Sequence, residues 1–446
     1  MHPISALREL SPIEKDVVDI LARSKQAMTQ IEVRAKLRGS SSQPTVSRVF
    51  SSLISNGIIV KSGETKGAKF ALSDVASYFA IPPQLRQPVP YDPSRIAKYV
   101  PNETTWLPNE IAEGFKHAAQ GVMHQLDAST YSQQIAERFL LDLSWASSNL
   151  EGNTYDYLAT EVLLKYGEQA TGHDLIEATM ILNHKHALVE LLENVEKPQL
   201  DMRYVSRLHA MLMRDLIGPE QLGRVRDTSV RITATSYRPE SNRDQLSTDL
   251  GTLLWKAEQV QDPFESSFML LAGMSYLQAF VDGNKRMGRV LCNIPLLARG
   301  LPPMSFIGID RGNYLSGLIA FYETADTSLL AETLLDAYRQ SAPSYAAAVA
   351  TQRRPRGVEL RERMRIQTTI AQLIADKIRP ENAEGYVRDV FSDIPVPDQD
   401  ILVGNIIEVL DKITPENSAA WNIDEDIAEA YRAIIDIGDS TPGFEF

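Results

Sequence analysis

Apolar residues recur at helical spacing along most of the chain, and β-like alternation is confined to short stretches. Ser11-Pro12 reads as a helix start, a serine cap with proline at the first helical position. Ile13, Val17, Val18, Ile20 and Leu21 then follow with helical periodicity. Thr29 caps a second helix, Gln30 to Leu37, and the segment from Gly39 to Ser42 is a turn. Gln43-Pro44-Thr45 opens a third helix that reaches Asn56 and stops at Gly57. The runs IIVKS and KFALS flank Gly63 to Gly67 and predict a hairpin. Residues 76–107 form a connector with few periodic signals and several prolines (Pro82, Pro83, Pro88, Pro90, Pro93, Pro101), expected to be extended and packed on the next domain. Residues 108–345 are helical in pattern, except that 223–238 alternate with β-branched residues and predict a short hairpin. Residues 346–446 open with Arg353, Arg354, Arg356 and Arg361 and continue as two or more amphipathic helices. The fold class expected is mainly α.

Three helices followed by a hairpin over residues 1–75 is the order of a winged helix. In that geometry the third helix enters the major groove with Gln43, Thr45, Ser47 and Arg48, and Lys61, Lys66 and Lys69 of the wing meet phosphates. A module that serves only protein contacts has the same outline, so both readings stand. Charge bears on the choice. The chain carries a net −13, yet residues 1–75 hold 11 Lys+Arg against 7 Asp+Glu, so the acidic excess lies entirely beyond them. The single cysteine, Cys292, excludes an internal disulfide, and its place in an apolar helix marks a buried, inert thiol. No apolar run is long enough for a membrane span, and the first residues lack an apolar signal core, so a cytoplasmic protein is expected.

Candidate chemistry is concentrated at Tyr276 to Leu296. A tight Asp282-Gly283-Asn284 turn follows apolar residues and leads into a helix with Arg286 and Arg289 near its start. A loop entering a helix N-terminus offers unpaired backbone N–H groups and a favourable dipole to an anion. Gly283 permits close backbone approach, and two arginines three apart share a helix face and suit phosphate oxygens. Asp282 is the loop's carboxylate, and a phosphate-bound Mg²⁺ takes one or two carboxylates plus water. The alternative is an ordinary helix–loop–helix with surface arginines. His184 and His186 point to different helix faces and read as structural, while His209 is isolated in sequence.

The segment from Phe280 to Arg289 resembles the core of the Fic/Doc (fido) family motif, H-x-F-x-[D/E]-G-N-[G/K]-R-x-x-R. Phe280, Asp282, Gly283, Asn284, Lys285, Arg286 and Arg289 match it, with Lys285 in the Doc-like form, and Gln278 stands where the pattern has histidine. Ser147 to Gly152 resembles the family's inhibitory motif, [S/T]-x-x-x-E-[G/N], and the likeness extends over roughly residues 76 to 345. It implies an all-helical Fic fold with a small β-hairpin flap at 228–238 that pins a target segment.

The resemblance also implies a chemistry, transfer of AMP from ATP to a protein hydroxyl, with ATP and Mg²⁺ as cofactors. Asp282 is implied as the metal ligand; Gly283, Asn284 and Arg286 as the phosphate cradle, with Phe280 and Lys285 completing the nucleotide loop. Arg289 is implied to meet the γ-phosphate, or to pair with inhibitory Glu151 when the site is closed, with Ser147 and Gly152 completing the inhibitory set. Gln278, Asp282 and Arg286 occupy the catalytic positions. A glutamine orients a hydroxyl but takes no proton at neutral pH, and lysine at 285 leaves AMP transfer and phosphate transfer both open. The expected partners are ATP, an unidentified target protein and double-stranded DNA, with no membrane and with a homodimer left open. Two functions follow: an autoinhibited transferase, or a catalytically inactive regulator that senses nucleotide. A toxin–antitoxin role with a self-regulated promoter rests on family analogy alone. The DNA reading predicts that Arg48→Ala and Lys66→Ala weaken duplex binding, with a shallower salt dependence for the lysine variant. Absence of salt-sensitive duplex binding by the intact protein removes that reading.

Overall fold

The computed structural model describes all residues except 25, 38–41, 65–66, 124–127, 195–199, 352–356, 416, 422 and 440–446. Most of the Gly39 to Ser42 turn, Lys66, and Arg353, Arg354 and Arg356 therefore lie outside the described residues. The chain is mainly helical, with two small sheets. No helix among the described residues is long and apolar enough to cross a membrane.

Helices Pro12–Ala22, Gln30–Lys36 and Gln43–Ser55 are followed by strands β2 (Ile59–Ser62) and β3 (Lys69–Leu72). Their starts are fixed by side chains. The Ser11 N–H donates to Glu14 Oε2 at 3.0 Å, and the Thr29 N–H donates to Glu32 Oε2 at 2.7 Å while Thr29 Oγ1 accepts the Glu32 N–H. Strand β1 (Met28–Thr29), absent from the sequence expectation, pairs antiparallel with β3, so β3 is the middle strand of β1-β3-β2. Val17, Val33, Phe50, Leu53 and Ile58 fill this unit's own core.

The connector departs from the expected extended chain. Helix Asp74–Phe79, capped by Ser73, crosses the boundary placed at residue 75, and Val75 and Phe79 pack with Ile4, Ala320 and Leu329. A short helix, Ser94–Ala97, is capped by Lys256, whose Nζ donates to the carbonyls of Ile96, Ala97 and Tyr99 at 2.7–2.9 Å. An ammonium on three carbonyls satisfies the chain end that proline-rich sequence leaves unpaired.

The expected hairpin at 223–238 is also corrected. Its regular structure is one two-residue strand, β5 (Tyr237–Arg238), paired in parallel with β4 (Val89–Pro90) of the connector. The rest is an arch clasped at its base. The Arg226 guanidinium donates to the carbonyls of Gln278, Thr228 and Glu240, so one side chain takes carbonyls that a hairpin would pair between strands.

Helix Pro263–Leu277 is the centre of the body, buried from Phe264 to Leu277. It packs against helices Arg243–Gln259, Asn284–Leu291 and Arg311–Thr324. Helix Ser328–Thr351 runs through the boundary placed at 345, and a separate helical unit follows with its own core around Ile370, Leu373, Phe391, Leu402, Ile406 and Tyr431. The crossing under the candidate loop depends on Gly288, where a Cβ would lie 2.9 Å from the Leu271 carbonyl oxygen. Gly288→Ala is expected to cost about 1–3 kcal/mol through overpacking, read from the urea midpoint. An unchanged midpoint means that the two helices separate freely.

Candidate functional site

Helix Pro263–Leu277 ends at Gln278 in the left-handed region, φ 50° and ψ 48°. The chain returns through Gly283, φ +78°, into helix Asn284–Leu291. Between them the loop is held by its own side chains. Asn284 Oδ1 accepts the Phe280 N–H at 2.9 Å, and its Nδ2 donates to the Phe280 carbonyl at 2.8 Å and to Gln278 Oε1 at 3.2 Å. The Gln278 amide in turn donates to the Ser275 carbonyl at 2.7 Å. Asn284 thus holds the loop, one of the two roles the sequence left open for it, and Gln278 has both ends of its amide engaged.

Phe280, counted among the nucleotide-loop residues, is fully buried and stacks on His209 with centroids 3.9 Å apart, so it anchors the loop and lines no binding surface. The Gly223 N–H donates to His209 Nδ1 at 3.0 Å, which places the proton on Nε2, directed at the Asp282 carbonyl 3.0 Å away. Burial pushes this imidazole down to about 4. A neutral ring with both nitrogens committed is a prop and not a base. At Gly283 a Cβ would sit 2.6 Å from Met213 Sδ, so glycine is required by space as well as by φ.

Above this platform lies the anion-facing surface. Arg286 is buried; its Nη2 donates to Asp282 Oδ2 at 2.8 Å, and its Nη1 is buried with no partner among the described residues. An unsatisfied guanidinium N–H beside the free N–H groups of a helix start matches a phosphate oxygen in both charge and donor count. The Asp282 side chain is 62% exposed, with Oδ1 accepting the Gly283 N–H at 2.6 Å. One exposed carboxylate next to a phosphate cradle fits Mg²⁺ held jointly with phosphate and water. Among the described residues no group of three or more His, Cys, Asp or Glu could hold a metal by itself.

The residues named from the inhibitory motif meet this loop at Arg289. Its guanidinium is fully buried: Nε donates to Ser147 Oγ at 2.8 Å, and Nη2 to Glu151 Oε1 at 2.6 Å and to the Ser147 carbonyl at 3.2 Å. Nη1 lies 3.4 Å from the Tyr314 hydroxyl. The second Glu151 oxygen pairs with Lys285 Nζ at 3.1 Å. Burial raises the Glu151 carboxyl, but Arg289 and Lys285 together outweigh it and hold the group at about 2. Gly152, at φ +100°, turns the chain directly after this glutamate, and Asn153 pins the turn by donating to the Glu177 carbonyl at 2.8 Å.

His184 belongs to the same network, which its sequence spacing did not reveal. Its Nδ1 donates to the Met180 carbonyl at 2.8 Å, so Nε2 accepts the Ser147 hydroxyl at 2.7 Å and leaves the Ser147 oxygen to receive Arg289. Burial pushes this ring down to about 3 and keeps it neutral, as the relay requires. Cys292 is buried, and burial pushes its thiol up to about 12, as expected of an inert residue. Of the residues named on the third N-terminal helix, Gln43, Thr45 and Arg48 are exposed, and Ser47 is half-buried and donates to Gln30.

The site is thus a loop and helix start able to cradle phosphates, with a glutamate from another helix occupying one of its arginines. Residues 199–296 match the model of the Fic/DOC family, and the chain carries a Fic/Doc domain. Among curated proteins, it is 25% identical over 173 residues to protein adenylyltransferase fic-1 of Caenorhabditis elegans, covering 38% of this chain and 34% of that protein. It is 27% identical over 176 residues to protein adenylyltransferase Fic of Nematostella vectensis, covering 38% and 40%. The aligned part therefore spans well under half of those relatives. Among solved structures, a Fic family protein from Desulfovibrio desulfuricans G20 overlaps 58% of this chain and 79% of its own, with 20% identity and a TM-score of 0.47.

The Glu151 carboxyl titrates lower in the folded state than its ordinary 4.5. Its ion pairs therefore contribute in full above that value and are lost as pH falls toward about 2. The difference in unfolding free energy between the wild type and Glu151→Gln is expected to shrink as pH is lowered through this window, measured by urea titration. A gap that stays constant means that the carboxylate is not ion-paired in solution.

Proposed function

We propose that this chain is an autoinhibited Fic-type nucleotide-binding protein that transfers AMP from ATP to a protein hydroxyl once Glu151 withdraws. The observation that carries this reading is the position of Glu151, shared between Arg289 at 2.6 Å and Lys285 at 3.1 Å. Lys285 sits in the first turn of the phosphate-facing helix and Arg289 in its last, and the carboxylate bridging them occupies charge that a nucleotide's terminal phosphate would otherwise claim. The adenylyltransferase names of the relatives support the choice of AMP.

In this reading Arg286 Nη1 and the helix N-terminus bind the inner phosphates, and Asp282 would hold Mg²⁺, which would supply neutralisation of phosphate charge. The target oxygen bonds to the α-phosphorus, pyrophosphate leaves, and the hydroxyl proton passes to water. Gln278 cannot accept that proton and His209 is committed on both nitrogens, so general-base assistance worth about 10² to 10⁴ in rate is absent. That absence favours a second reading, a nucleotide sensor without turnover. The N-terminal unit is read as a winged helix that binds double-stranded DNA in the cytoplasm. After a first helix, Pro3–Arg8, the three helices Pro12–Ala22, Gln30–Lys36 and Gln43–Ser55 with the three-stranded sheet support this, as does the exposure of Gln43, Thr45 and Arg48 on helix Gln43–Ser55.

The Glu151→Gly variant, which frees Arg289, is expected to bind Mg·ATP more tightly than the wild type by calorimetry; equal affinity removes the inhibitory assignment. Incubated with Mg²⁺ and lysate, it is expected to transfer label to protein from α-labelled ATP. Label from γ-labelled ATP alone means phosphate transfer, and binding without label from either means a sensor.

A further inference from the structure

Helix Arg311–Thr324 begins beside both the Glu151–Arg289 lock and the N-terminal unit. Its start carries two pairs of residues, each pair three apart and so sharing a helix face. Arg311 and Tyr314 face the lock. Arg311 Nε donates to the Leu150 carbonyl at 3.2 Å, and the Tyr314 hydroxyl lies 3.4 Å from Arg289 Nη1. Asp310, the helix cap, and Asn313 face helix Pro3–Arg8 of the N-terminal unit. Arg8 Nη1 donates to Asn313 Oδ1 at 2.9 Å and lies 3.6 Å from Asp310 Oδ1. Between them a Cβ at Gly312 would overlap Arg8 Nη2, so the guanidinium rests on the helix backbone itself.

Leu150 is the last residue of helix Ala128–Leu150, and Glu151 follows it directly. The turn after this helix covers two of the last carbonyls. The Glu151 and Asn153 N–H groups donate to the Ser148 carbonyl at 3.0 and 3.1 Å, and the Gly152 N–H donates to that of Asn149 at 2.9 Å. The Leu150 carbonyl is taken from outside, by Arg311. A carbonyl at a helix end has no intrahelical donor. Arg311 therefore fixes the peptide that joins Leu150 to Glu151, and with it the direction in which the carboxylate leaves the helix.

The Arg8 ion pair is exposed and weak by itself. What seats Arg8 is apolar. Ile4 of the same helix is buried with Ala320 of helix Arg311–Thr324 and with Leu329, and Val75 and Phe79 pack against them. The N-terminal unit thus grips helix Arg311–Thr324 at its start and again near its middle.

We propose that Arg311 is a positioning residue of the lock and that the N-terminal unit, through Arg8, holds the start of its helix in place, so that the seating of helix Pro3–Arg8 sets how firmly Glu151 excludes nucleotide. This rests on the reading of Glu151 as inhibitory. The coupling is reciprocal: nucleotide that displaces Glu151 loosens the seat of the N-terminal helix.

Calorimetry with Mg·ATP on the intact protein tests this. Arg311→Gln is expected to bind about threefold or more tightly than the wild type, within the range of coupled neighbours, and Arg8→Ala is expected to shift affinity in the same direction. Loss of a cation near a phosphate site weakens ATP binding by charge alone, so the sign is diagnostic. Arg311→Lys, which keeps a donor for the Leu150 carbonyl, is expected to keep the wild-type affinity. In a Glu151→Gly background no carboxylate is left to position, and neither Arg311→Gln nor Arg8→Ala should raise affinity further. Both arginines are exposed, so neither change opens the core. If Glu151→Gly alone binds no more tightly than the wild type, the lock is absent, and its coupling to Arg8 with it. If Glu151→Gly tightens binding but Arg311→Gln or Arg8→Ala does not, if either gain persists in the Glu151→Gly background, or if Arg311→Lys behaves as Arg311→Gln, the lock stands and the coupling is overturned.

Discussion

A guanidinium with no solvent contact sets the terms for this protein. Arg289 cannot shed its charge, and burying an unpaired ion costs several kcal/mol even after relaxation. The structure meets that cost by bringing two other helices to one side chain. Ser147 and Glu151 come from helix Ala128–Leu150 and the turn after it, and Tyr314 from helix Arg311–Thr324. A buried arginine beside a phosphate cradle must have an anion. Glu151 supplies one from within the chain, so withdrawing it leaves a vacancy shaped for another. In the proposed reading, the same electrostatic demand that stabilises this form would create the affinity of one from which Glu151 has withdrawn.

The loop below Arg289 is rigid for a different reason. Asn284 ties the first and last residues of the turn together, and His209 supports Phe280 from beneath while fixing the Asp282 carbonyl. Residue 278 takes part in this support through its side chain, whose oxygen accepts from Asn284 and whose amide donates to the Ser275 carbonyl. A glutamine there keeps its amide inside the loop and holds a left-handed backbone that a bulky side chain rarely adopts. In the proposed reading, the glutamine supplies no proton acceptor but still helps to hold the loop, because Asn284 donates to its Oε1.

Much of this was legible in the sequence where local chemistry decides structure. Ser11 with Glu14 and Thr29 with Glu32 are capping pairs set by adjacent residues. The turn Asp282-Gly283-Asn284 before two arginines identified the loop, and Ser147 with Glu151 identified the glutamate that meets it. The misses share a cause, which is that distant partners determined the outcome. Residues 223–238 alternate like a hairpin, but Arg226 takes their carbonyls, and the only strand pairs with Val89–Pro90 far back in the chain. His184 looked structural because two histidines two residues apart share no helix face, and only the packing of helix Leu175–Glu193 against Ala128–Leu150 brings it to Ser147. The boundaries placed at 75 and 345 fell inside helices because prolines and charge marked the sequence more strongly than the packing that continues through them.

Helix Leu175–Glu193 also limits how independent the two halves of the body can be. Consecutive helical residues point about 100° apart, so His184 reaches the Ser147 relay while Lys185 and His186 line a cavity against the C-terminal unit. Helix Ala128–Leu150 repeats the arrangement, lining the cavity at Glu137, Arg138 and Leu141 and ending at the glutamate lock. Both faces are thus carried by the same two helices, and those helices pack closely on each other. A shift of either helix that closed the cavity would move Ser147 or His184 relative to Arg289, whose hydrogen bonds tolerate only a few tenths of an ångström before they weaken.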